Sequence, residues 1–166
     1  MNKLYNKSKL KFALSWIINY VIGTSAADEL SRLIGIEKII TVPFLFALCT
    51  IAVVWMKKNG LFAEFGLCRS KISAQKFLYY IPLIILVSCN FWCGVKMNGS
   101  WWEFALYALS MIGVGFLEEL IFRGFLFKAM AKDGITSAVI VSSVTFGIGH
   151  IVNLFNGSGA TLLPNL

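Results

Sequence analysis

The stretch GFLEELIFRGF, residues 115–125, sets three charged side chains, Glu118, Glu119 and Arg123, among Phe, Leu, Ile and Gly. A lone charge at the centre of a membrane helix costs about 2.5–3.5 kcal/mol, so each needs a partner or a task. The surrounding sequence is membrane-like. Of 166 residues, 58% are hydrophobic and 14% charged, with a mean hydropathy of +0.76. A soluble domain is about half apolar and about a quarter charged. The net charge is +7, but the basic residues lie between apolar runs rather than in one patch. That distribution suits membrane topology and argues against a nucleic-acid partner.

Read for apolar runs of spanning length, the chain yields about five helices. They cover Phe12–Ala27, Ile39–Met56, Phe77–Val95, a run from Trp101 through the quoted stretch, and Thr136–Phe155. The first follows a basic N-terminus as a signal peptide would. Asp28 and Glu29 after its small residues, and the spans that follow, favour a retained anchor. Pro43 falls in the first turn of the second run, where proline is tolerated. Ser100 and Glu103 form an S-x-x-E capping box ahead of the fourth. Twelve of the 15 basic residues fall on one side of this alternation: Lys3, Lys7, Lys9 and Lys11; Lys57, Lys58, Arg69, Lys71 and Lys76; and Arg123, Lys128 and Lys132. Arg32, Lys38 and Lys96 fall on the other. The positive-inside rule then places the N-terminus in the cytoplasm. The expected fold is an all-α, polytopic transmembrane bundle forming one membrane domain over residues 1–166. Residues 57–76 have room for a short interfacial helix, and no internal repeat is visible. Cys49, Cys68, Cys89 and Cys93 lie in or beside apolar runs and read as small packing residues.

Within the quoted stretch, Glu119 and Arg123 are four apart with the acid first, the favourable order for an ion pair on one helix. Glu118 is rotated from them by about 100° on an α-helix and has no such partner. His150, the single histidine, offers one. If the fourth helix ends near Met130 and the fifth starts near Ile135, Glu118 lies roughly 18 Å and His150 roughly 22 Å from the turn between them. Gly147 and Gly149 allow close helix approach. Phe146 shares a face with His150, and Asn153 follows three residues later. A glutamate and a histidine at one depth can activate water for attack on a carbonyl. Purely structural roles are the competing reading: an interfacial Glu119–Arg123 pair, Glu118 bonded to Ser110 or Ser142, and a packed His150.

The motifs resemble a known family. EELIFR, Glu118–Arg123, fits E-E-x-x-x-R, and FGIGH, Phe146–His150, fits F-x-x-x-H. Together, within residues 100–157, they are similar to the CPBP family of CAAX-type proteases and bacteriocin-processing proteins, also called Abi. The resemblance implies an intramembrane endopeptidase in which Glu118 and His150 activate water while Glu119 and Arg123 hold the site together. It implies a peptide or lipidated-protein substrate, with a bacteriocin among the candidates, and a multi-pass location in a bacterial plasma membrane. The family's third motif, H-x-x-x-N or H-x-x-x-D, has no counterpart here, so the chain is expected to be truncated at its C-terminal end. Zinc is suggested by the family's metallo- label alone, because one histidine cannot form a multi-histidine site. The alternative function is a non-catalytic immunity protein that binds a bacteriocin or its receptor. A transporter half lacks support, since no inverted repeat or paired broken helices are seen.

Overall fold

Ser8, Gly35, Gly60 and Ser100 punctuate the chain, and the helices follow from them. The computed structural model describes residues 1–68, isolated positions between 73 and 88, and residues 100–155, with backbone alone for 150–155. Helix α1 (Asn2–Lys7) leads to Ser8, whose hydroxyl accepts the Lys11 N–H at 3.2 Å and caps α2 (Lys9–Ile34). Helix α2 is longer than the expected Phe12–Ala27 because its last-turn charges are satisfied sideways. Asp28 accepts from Lys38 at 2.9 Å and from the Thr41 hydroxyl, and Glu29 pairs with Arg32. Gly35 (φ 82°) ends α2, and Gly60 (φ 66°) ends α3 (Thr41–Asn59). Both take the left-handed conformation that closes a helix at little cost only for glycine.

The Ser100 box forms as expected: the Glu103 carboxylate accepts the Ser100 backbone N–H at 2.9 Å and its hydroxyl at 3.1 Å. Helix α4 (Trp101–Glu118) runs from it into a π-helical segment, Glu119–Leu126, and then α5 (Phe127–Ala131). After the break at Lys132–Gly134, α6 covers Ile135–Phe155, one residue longer than expected. The described residues hold no strand. Helix α3 packs on α4, α2 on the π segment, and α6 returns along α5 and the π segment.

Two helices, Thr41–Asn59 and the continuous Trp101–Ala131, are long and apolar enough to cross a bilayer, and Ile135–Gly149 is a shorter apolar stretch. The expected span Phe77–Val95, with Cys89 and Cys93, lies largely outside the described residues. Cys49 and Cys68 are free thiols. Outward-facing Ile22, Ile112, Ile140 and Ile148 are each more than half exposed. So much exposed apolar surface is tolerated where lipid rather than water is the solvent.

The core is aromatic. Phe125, at the end of the π segment, meets the rings of Phe12, Trp16, Trp55 and Phe65 at centroid distances of 4.9–6.0 Å. Edge-to-face pairs of this kind contribute about 0.5–1.5 kcal/mol each beyond burial. The cluster anchors α1 as well, through Tyr5 on Phe12 and Trp55. The Tyr5 hydroxyl and Lys9 donate to Glu64 at 2.9 and 2.8 Å.

Candidate active site

Glu118 is the last residue of α4, and the helix changes winding between the two motif glutamates. The continuous α-helix expected through this stretch is therefore corrected. The Phe127 N–H donates to the Phe122 carbonyl, five residues back rather than four. Packing on both sides accounts for the extra residue per turn. Leu117 and Leu120 are buried above, while Phe125 is gripped by the aromatic cluster below. Gly124 completes the fit, since a Cβ there would lie 3.3 Å from Leu120 and 3.6 Å from Phe65. Single π turns inside α-helices recur at functional sites.

The half-buried Glu118 accepts a hydrogen bond from the Tyr20 hydroxyl of α2 at 3.1 Å. Tyr20 is only 7% exposed, so its geometry is set by packing. Neither serine suggested by the sequence donates to Glu118. Ser110 donates to the Tyr107 carbonyl, and Ser142 to that of Val139. Nothing in the local pattern of α2 picks out Tyr20. The one available signal was a phenol in a largely apolar run, which needs a polar partner when buried.

Glu119 and Arg123 form the expected pair across the π segment, with Arg123 Nη1 at 2.7 Å from Oε1 and 3.0 Å from Oε2 of Glu119. Both side chains are more than half exposed. With Glu118, Phe122, Ser142 and Phe146 they line a cavity of about 130 Å³ between the π segment and α6.

The second motif reaches the same place from α6. The Phe146 ring meets Phe122 edge-on at 5.3 Å. Glu118 precedes Phe122 by four residues and His150 follows Phe146 by four, so in an antiparallel hairpin positions 118 and 150 fall at one level. Gly149 and Phe146 line a further cavity of about 50 Å³ with Glu118 and Tyr20. The backbone of α6 continues through His150, whose imidazole lies outside the described residues.

A third cavity, about 420 Å³ and larger than these two, rises from Glu118 and Tyr20 between α2 and α4 to the α2–α3 turn. Glu118 thus borders all three cavities. Among the described residues, which leave out the His150 imidazole, no three His, Cys, Asp or Glu side chains converge. What the site offers is one carboxylate held by a phenol, a neighbouring ion pair, and space on three sides.

Residues 100–165 match the family model described as type II CAAX prenyl endopeptidase Rce1-like. No curated protein and no solved structure matches the chain.

Proposed function

We propose that this chain hydrolyses a peptide bond within the membrane with water activated by Glu118 and His150, a reading supported by the match of residues 100–165 to the type II CAAX prenyl endopeptidase Rce1-like family model. The observation that carries this reading is the position of Glu118. It is half-buried, bonded to Tyr20, and faces Phe146 and Gly149 of the second motif across a shared cavity. In the proposed step the Glu118 carboxylate accepts a proton from water as its oxygen attacks the scissile carbonyl. The C–N bond then breaks, and the proton passes to the leaving amine. His150, whose backbone lies at the level of Glu118, is the second group assigned to that water. Glu119 and Arg123 hold the π segment in register across one turn. The substrate is proposed to be a membrane-associated or lipidated peptide, a bacteriocin being one candidate. The proposed setting is a five-span, N-in arrangement in a bacterial plasma membrane.

The test is cleavage of a fluorogenic membrane peptide by the purified chain in lipid vesicles. Glu118→Gln and His150→Ala should each lower kcat by about 100-fold or more, as expected for loss of a general acid–base group. Parental cleavage by both variants sinks the proposal. No cleavage by the parent, with undiminished bacteriocin protection by both variants, would instead favour a non-catalytic immunity role.

A further inference from the structure

Hydrolysis in a bilayer consumes a molecule that the bilayer excludes. The 420 Å³ cavity suits its supply. Its floor is Glu118 and Tyr20, and its walls carry Thr24, Ser25 and Asp28 of α2 and Ser110 of α4. Lys38, bonded to Asp28, borders it at the α2–α3 turn. Thr24 donates to the Tyr20 carbonyl at 2.6 Å and Ser110 to the Tyr107 carbonyl at 2.7 Å. Their hydroxyl protons are thus used within their own helices, and the lone pairs of the half-buried Thr24 remain as acceptors for water, Ser110 being buried. At about 30 Å³ per molecule the space holds on the order of a dozen waters. The other two cavities are smaller; the one between the π segment and α6 shares only Glu118 with the cleft, and the smallest also shares Tyr20, Thr24 and Ser25. They hold about 130 and 50 Å³, are bordered by the rings of Phe122 and Phe146, and lie against α6.

We propose that the α2–α4 cleft is the water route to Glu118, separate from the motif-side space between the π segment and α6 that receives the peptide. The role of Glu118 in this proposal rests on the hydrolytic reading above. Water reaches the carboxylate from the α2–α3 turn while the scissile segment occupies the side of Phe122 and Phe146. A bound peptide then does not seal off the co-substrate.

Cysteine accessibility tests this on the full chain in vesicles, with Cys49, Cys68, Cys89 and Cys93 replaced by serine. Ser25→Cys places a thiol in the cleft, at the edge it shares with the 50 Å³ cavity, so the split between kcat and KM tells the two spaces apart. Ile22→Cys, within one turn of the same helix, places one on the outward apolar face, where Ile22 is 64% exposed. A charged, membrane-impermeant methanethiosulfonate reagent is applied to both faces, and modification is read by mass. The expected result is at least tenfold faster modification at 25 than at 22. Modification at 25 should also lower kcat at least tenfold, with KM changed less than twofold. Equal rates at the two positions overturn the proposal, as does full modification at 25 with kcat unchanged or with the loss confined to KM. A parent that hydrolyses nothing defeats the catalytic reading, and with it the delivery role. The mass ratio then still decides whether the cleft is wet.

Discussion

Tyr20 meets the candidate site through one hydroxyl. Its ring is packed, and its Oη spans from α2 to the Glu118 carboxylate at 3.1 Å. Tyr20→Phe keeps the packing and removes only that bond. A hydrogen bond to a charged group contributes about 1.5–3 kcal/mol. The variant should therefore lose about tenfold or more in kcat, with KM and the melting temperature close to the parent's. A matched fall in stability would show that the hydroxyl serves the fold instead. Glu118, Glu119, Arg123 and His150 stood out in the sequence as candidates because charge in apolar sequence is conspicuous and its spacing can be read. Tyr20 did not, because it lies 98 residues away and only the packing of α2 on the π segment brings it to Glu118.

At the scale of elements, helix starts and stops were read most easily. Ser100 with Glu103 begins α4, and the break at Lys132–Gly134 separates α5 from α6. The first helix was read too short. Hydropathy treats Asp28, Glu29 and Arg32 as an ending, whereas Asp28 is satisfied by Lys38 and Thr41 and Glu29 by Arg32, so the helix continues. The π winding was invisible for a different reason. It arises from competition between two packed surfaces, and no residue type encodes it. Close approach of α3 to α4 depends on Gly113, where an added Cβ would sit 3.1 Å from that of Leu45. Gly113→Leu forces these helices apart and should destabilise the chain by about 1–3 kcal/mol, the usual cost of overpacking. Thermal unfolding in detergent micelles measures it.

Across the whole molecule, the N-terminal end is fastened by polar contacts outside the apolar belt. The hydrogen bond from Lys9 holds the Glu64 carboxyl below the usual glutamate range, with Tyr5 adding a second bond. A lowered folded pKa means a contribution that is fully present above about pH 4.3, the ordinary glutamate value, and lost as pH falls through the lowered one. Both side chains are over a third exposed, so the effect is modest and screened by salt. Hydrogen exchange over Asn2–Lys7, corrected for its intrinsic pH dependence, should quicken on acidification from pH 7 to about pH 3. In Glu64→Gln it should be fast at both pH values. A parent whose protection is unchanged by acid would show that Tyr5 and the aromatic cluster hold α1 without the ion pair.

The π segment makes the motif helix a coupling between two halves set at different angles. Above it, α4 is keyed to α3 and to the cleft; at its lower end, Phe125 is keyed to the aromatic cluster. A regular helix could satisfy one of these orientations but not both, since each added or removed residue turns everything beyond it by about 100°. The eight-residue stretch is in effect a phase adjuster, and Glu118 sits on the upper side of the adjustment while Arg123 sits within it. Losing one residue there would leave a smoother helix that aligns either the carboxylate or the aromatic anchor, and gives up the other.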